Sequence, residues 1–136
     1  MQCTKSYNKI VAVEPDTRTF KKLQLNCENL ENCTTLNNAI WSENCTLTFD
    51  GNKGRGASAK SQGEEKSAIC VDYITKKYGD FSYINIDIEG AESEMLKEAN
   101  LTLASRPKLC MAVYHKSEDI FALINKVKEM NGDYKI

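Results

Sequence analysis

Along the chain, short continuous apolar runs alternate with stretches in which apolar side chains return every three or four residues. "KIVAVEP", from Lys9 to Pro15, is an apolar run of β-branched character, as in a buried strand of a parallel sheet. A helix is predicted next, capped by Asp16 or Thr17. Phe20, Leu23, Cys27 and Leu30 recur at spacings of three and four and form one stripe down to Asn32. "TTLNNAI" predicts a second strand at about Thr34 to Asn38. "CTLTF" alternates, as a half-buried antiparallel strand does, and a polar, glycine-rich segment follows it, so that an insert is predicted at about 45–66. The glycines Gly51, Gly54, Gly56 and Gly63 match no phosphate-binding spacing, and a surface loop or a substrate lid are the two readings of the segment.

After the insert, "SAIC" predicts a short strand and "VDYITKKYGD" a short helix capped by Asp72 and stopped by Gly79. "FSYINID" predicts a strand, and "GAESEMLKEA" a helix with Ala91, Met95, Leu96 and Ala99 facing inward. "KLCMAVYH" predicts a strand entered through Pro107. Ser117 then caps a helix carrying Ile120, Phe121, Ile124, Val127 and Met130, and "DYKI" begins a last strand. Strands separated by helical patterns of roughly 8 to 16 residues predict βαβ units and an α/β fold with a parallel, doubly wound sheet.

Composition narrows the function classes. The 136 residues suffice for one domain, 1–136. Lysine and arginine number 18 against 19 aspartates and glutamates, and no basic run would track a phosphate backbone, so no nucleic-acid partner is expected. No apolar run approaches the roughly 20 residues of a membrane span, and "MQCTKSYNK" lacks the apolar core of a signal peptide. A cytoplasmic protein without membrane partners is expected. The six cysteines form no C-x-x-C pair, and Cys70 and Cys110 sit in apolar runs, so buried reduced thiols are expected rather than disulfides or zinc ligands.

In a parallel α/β sheet, ligands bind outside the carboxyl ends of the strands. That rule selects Glu14 after the first strand, Asn38 and Ala39 after the second, Asp87 and Glu89 after "YINI", and His115 after "CMAVY". Glu14 can accept hydrogen bonds from both hydroxyls of a ribose; the alternative is an acid that caps the next helix. Asn38 can meet an adenine edge or simply make a turn. Alternation puts Ile84 and Ile86 on one face of their strand and Tyr83, Asn85 and Asp87 on the other. Glu89 lies in the turn, Gly90 lets the chain change direction, and Glu92 in the first helical turn complements the helix dipole. Asp87 and Glu89 can bind a cation, position a hydroxyl or take its proton, and two carboxylates alone leave these open. His115, the one histidine, suits a general base; it can equally open the following loop.

Together, "VAVEPDTRTFKKLQLN", "LNNAIWS", "VDYI", "YINIDIEGAESEMLKEA", "RPKLCMAVYHKSEDI" and "YKI" resemble the FkbM family of S-adenosylmethionine-dependent methyltransferases, from about Lys9 onward. The most specific part is "IDIEGAE" followed by "LKEA". The resemblance implies a Rossmann-like sheet and methyl transfer from S-adenosylmethionine, usually to a hydroxyl oxygen, with a small molecule or glycan as acceptor. It implies that Glu14 holds the ribose hydroxyls and that Pro15, Asn38 and Ala39 flank the adenine. Asp87 would stand near the methionine end or the acceptor, with Glu89 and His115 lining the acceptor side. Nothing in these motifs requires a metal.

In the family a strand and a glycine-rich turn should precede the ribose acid by about 20 residues. Thirteen residues precede Glu14, without a glycine, and the sequence stops inside the last predicted strand. A domain incomplete at both ends is therefore expected, lacking its first strand. Two readings of function follow: a methyltransferase domain, truncated and of reduced or lost activity, or a non-catalytic binding or self-association module on the same sheet, forming homo-oligomers through exposed strand edges.

Overall fold

The computed structural model describes residues 7–49 and 64–136 and divides the chain into two compact units, 1–39 and 40–136. In the first unit the apolar run becomes β1 (Ile10–Val13), followed by α1 (Thr17–Cys27) and β2 (Cys33–Leu36). The two strands are parallel, from Ile10 opposite Cys33 to Val13 opposite Leu36. Backbone bonds from Ile10 N to Asn32 O and from Glu14 N to Leu36 O, 3.0 Å each, extend the ladder at both ends. Asp16 caps α1, its Oδ1 accepting from Thr19 N at 2.7 Å, which satisfies one of the four unpaired amides at a helix start. The predicted stripe of Phe20, Leu23, Cys27 and Leu30 is half-buried. The helix ends at Cys27, before the predicted Asn32, and Asn32, at φ 54°, turns the chain into β2.

The second strand also ends early, at Leu36, and Ala39 opens a separate short strand, β3 (Ala39–Ile40). In the second unit β4 (Cys45–Phe49) pairs antiparallel with β5 (Glu64–Ile69), as the alternation of "CTLTF" predicts, in a sheet of order β3-β5-β4. The glycine-rich stretch between them, 50–63, lies outside the described residues. α2 (Val71–Tyr78) stops at Gly79, whose φ of 84° is the reason for a glycine. β6 (Tyr83–Ile86) and β7 (Lys108–Met111) form a two-stranded parallel sheet, Tyr83 opposite Lys108 and Ile86 opposite Met111. Between these strands run α3 (Glu92–Lys97) and α4 (Asn100–Ala104), and α5 (Asp119–Met130) follows β7.

Several local expectations are corrected. Asp72 does not cap α2. It lies inside that helix, and its carboxylate accepts from Leu101 N at 3.0 Å, Thr102 N at 2.8 Å and Thr102 Oγ1 at 2.7 Å, which makes it the cap of α4 from a distant helix. Ser117 does not cap α5, because its hydroxyl donates to Glu118 Oε2 instead. The inward face of α5 is Leu123, Ile124, Val127 and Met130, whereas Ile120 and Phe121 are exposed. Residues 133–136 form no strand; Tyr134 donates its hydroxyl to Pro107 O at 3.1 Å. Cys110 is exposed and Cys70 half-buried, not buried as expected, and the described cysteines are free thiols. Burial and the neighbouring Cys27 push the Cys33 thiol up to about 11.

The core of the second unit is Val71, Ile86, Met95, Leu96, Ala99, Leu103, Leu123 and Val127. Leu96 and Leu123 sit at its centre, 0% and 2% exposed, where truncation of a leucine to alanine costs about 2–5 kcal/mol. This packing clamps α3 and α5 on the β6–β7 pair and thereby fixes the loops at the carboxyl ends of both strands. Among the described residues no helix is long and apolar enough to cross a membrane.

Candidate active site

Parallel register brings two loops together. Ala112 N donates to Ile86 O at 2.8 Å, so pairing continues one step past the ends of β6 and β7 before the chains diverge. Asp87 leaves β6 there, and Tyr114 and His115 follow from β7. His115 Nε2 lies 3.0 Å from Asp87 Oδ1, and Tyr114 Oη donates to Asp87 Oδ2 at 3.1 Å. The tyrosine and histidine rings stack obliquely, with centroids 4.5 Å apart and planes at 46°. Both aromatic residues are thus held by one carboxylate, and that hydrogen bond and charge raise the Tyr114 phenol above its ordinary value.

The turn after Asp87 wraps more acids around the imidazole. Glu89 and Gly90 take consecutive positive φ values, 58° and 93°, which reverse the chain within two residues. Glycine is at home in that conformation; for glutamate it is strained by on the order of 1 kcal/mol. Lys116 Nζ ties the turn down by donating to Gly90 O at 2.8 Å. The reversal places Glu89 Oε2 3.8 Å from His115 Nδ1 and brings Glu92 Oε1 to 3.6 Å from His115 Nε2. Glu92 Oε1 also accepts from Ile88 N at 3.2 Å. The imidazole therefore has carboxylates on both nitrogens and is 13% exposed, while Asp87 and Glu89 remain half open to solvent.

Asp87, Glu89 and His115 meet, as their shared position at strand ends suggests. The member missing from the sequence-predicted set is Glu92, which is buried inside the cluster instead of merely facing a helix dipole. The signal was in the periodicity: Glu92, Met95, Leu96 and Ala99 stand at i, i+3, i+4 and i+7, one helix face, and the last three are core.

In the first unit, Glu14 and Pro15 follow β1 and are half-buried. Glu14 Oε1 accepts from Asp16 N at 2.8 Å, which fixes the carboxylate beside the strand end. Asn37, not singled out from sequence, donates its side-chain amide to Glu14 O at 2.8 Å and Pro15 O at 3.2 Å and pins the loops after β1 and β2 together. Asn38 is half-buried and Ala39 is buried in β3.

A separate concavity runs along β7 under α5, lined by Leu109, Met111, Val113, Leu123, Val127 and Tyr134 among others. It shares no residue with the acid cluster, and two of its polar walls, Arg106 and Asp133, are engaged in a mutual ion pair at 3.0 Å. The chemistry-bearing groups stand at the strand ends, not there.

The methyltransferase FkbM domain model matches residues 3–133. The chain belongs to the FkbM methyltransferase family. No curated protein matches it at a comparable level. Among solved structures, a methyltransferase FkbM from Methylobacillus flagellatus KT shares the fold, with a TM-score of 0.72 and 22% identity; the match covers 93% of this chain and 32% of that one. The chain thus spans about a third of the length of that FkbM protein. The α/β architecture with its parallel strand pairs is a methyltransferase fold, consistent with a Rossmann-like sheet.

Proposed function

We propose that this chain works in the transfer of a methyl group from S-adenosylmethionine to a hydroxyl oxygen of a small molecule or glycan. Family membership supports a methyl donor, and the observation that carries the acceptor assignment is the 3.0 Å contact of Asp87 with His115 at the carboxyl ends of β6 and β7. In the first unit, Glu14 is the group for the ribose hydroxyls, with Pro15, Asn38 and Ala39 about the adenine. In the second, Asp87, Glu89 and His115 orient the acceptor.

The sulfonium methyl is already electrophilic, so the protein's task is alignment and proton removal. The acceptor oxygen forms its bond to the methyl carbon as the carbon–sulfur bond breaks, and the electron pair stays on sulfur in S-adenosylhomocysteine. The hydroxyl proton passes to the Asp87, Glu89 and His115 group. His115 Nε2 and Asp87 Oδ1 stand 3.0 Å apart, within reach of handing a proton from one to the other.

The test is isothermal titration of S-adenosylmethionine and S-adenosylhomocysteine into the chain, with Glu14→Ala beside it. Saturable binding that the substitution weakens is expected. Absence of binding by the folded chain would overturn the proposal for it.

A further inference from the structure

We propose that Asp87, Glu92 and His115 form a site for a divalent first-row transition cation. One donor atom from each residue can be chosen so that all three lie within 4.8 Å of one another, with His115 Nε2 3.0 Å from Asp87 Oδ1 and 3.6 Å from Glu92 Oε1. Around an ion with bonds of roughly 2.1 Å in octahedral array, neighbouring donors stand about 3 Å apart and opposite ones about 4.2 Å. Both separations from His115 Nε2 fall between those two values, and the third is no more than 4.8 Å.

The independent observation is the state of Glu92. The residue is 0% exposed, one carboxylate oxygen accepts from Ile88 N, and Oε2 has no hydrogen-bond partner. A buried carboxylate oxygen without a donor is costly, and native structures rarely leave one. Within 4 Å of this carboxylate stands a second potential ligand, His115 Nε2. A cation bound by this carboxylate and the imidazole removes the cost.

The surroundings are those of a ligand set. A metal-bound imidazole offers one nitrogen to the ion and donates the other N–H to a carboxylate. Here Nε2 faces Asp87 and Glu92, and Nδ1 faces Glu89 Oε2 at 3.8 Å. Tyr114 Oη holds Asp87 Oδ2 and so directs Oδ1 inward, while Ile88 N orients Glu92. One imidazole and two carboxylates favour manganese, iron or zinc over calcium and magnesium, which prefer all-oxygen shells. Because Asp87 is half exposed, coordination positions stay open on that side. Within the proposed methyl transfer, on which this role but not the binding itself rests, a hydroxyl entering an open position becomes more acidic and is oriented.

The experiment titrates Mn2+ into the metal-stripped chain and follows the electron paramagnetic resonance signal of the free ion, with Zn2+ in competition. One bound equivalent is expected. Glu92→Gln and Asp87→Asn should each weaken it at least about tenfold, whereas Asp133→Asn, at an exposed ion pair, should leave it unchanged. Should Glu92→Gln fail to fold, the half-exposed Asp87→Asn decides the question. No saturable binding by the folded chain, or binding indifferent to both substitutions, would overturn the site and leave a carboxylate-bound histidine. The titration of S-adenosylmethionine, run without added metal, separates the two proposals, since it can succeed where Mn2+ fails and the reverse.

Discussion

Two buried carboxylates in the second unit are treated in opposite ways. Asp72, 8% exposed, receives two backbone amides and a hydroxyl, and Thr102 Oγ1, which supplies that hydroxyl, also lies 2.8 Å from Thr75 Oγ1. Glu92, more deeply buried, receives one amide on Oε1, the oxygen 3.6 Å from His115 Nε2, and its Oε2 has no hydrogen-bond partner. At Asp72 the protein completes the hydrogen bonding and gains a rigid joint between α2 and α4. At Glu92 it leaves capacity over. A fully satisfied buried carboxylate holds a fold together; Asp119 Oδ2 is also buried without a partner, and what sets Glu92 apart from it is the histidine and the second acid within ligand distance.

Breaking the satisfied site should cost most. Asp72→Ala leaves three buried or part-buried donors without their acceptor and should lower the urea-unfolding free energy by about 3–4 kcal/mol. A loss under about 1 kcal/mol would mean that water replaces the carboxylate and that the contrast with Glu92 is false. Next comes the turn that brings Glu92 round. A Cβ on Gly90 would meet Lys116 Cε at 3.5 Å and His115 Cβ at 3.7 Å, ordinary contact, so Gly90→Ala should cost only the left-handed backbone conformation, about 1–2 kcal/mol in the same unfolding assay. A much larger loss would show that the space, and not the backbone angle, requires glycine. The smallest change is expected at Glu92 itself. Glu92→Gln keeps an acceptor for Ile88 N and removes a buried charge, so stability without added metal should stay within about 1 kcal/mol of the parent. A fall as deep as that of Asp72→Ala would place Glu92 among the structural acids.

The same contrast explains what was legible in the sequence. The strands β1, β4, β6 and β7 were visible because apolar run length and alternation are local properties. α4 was not recognised, because its N-terminus carries no capping side chain of its own and is completed by Asp72, 29 and 30 positions before the amides it receives. The site was visible as a set of polar residues at strand ends, yet their mutual distances depend on the β6–β7 register, which no local pattern encodes. Glu92 is read from sequence as a complement to the helix dipole, the ordinary role of an acid in a first helical turn; its apolar partners at i+3, i+4 and i+7 point inward. On α5 the apolar residues are too many for one face, and packing, not periodicity, chose Leu123 over Ile120 and Phe121.

Asp87 and His115 are 28 positions apart, with α3 and α4 in the intervening chain. Their contact exists only after that whole segment has closed into a loop, an entropic cost met before any of its contacts form. Whatever grips both ends acts as a clasp on the crossover: at a hundredfold excess over its dissociation constant, a ligand specific for the folded unit adds about 2.7 kcal/mol to its stability. Melting temperature would then vary with the concentration of that ligand, and the opening of the crossover, rather than of the antiparallel pair β4–β5, would be the step it slows.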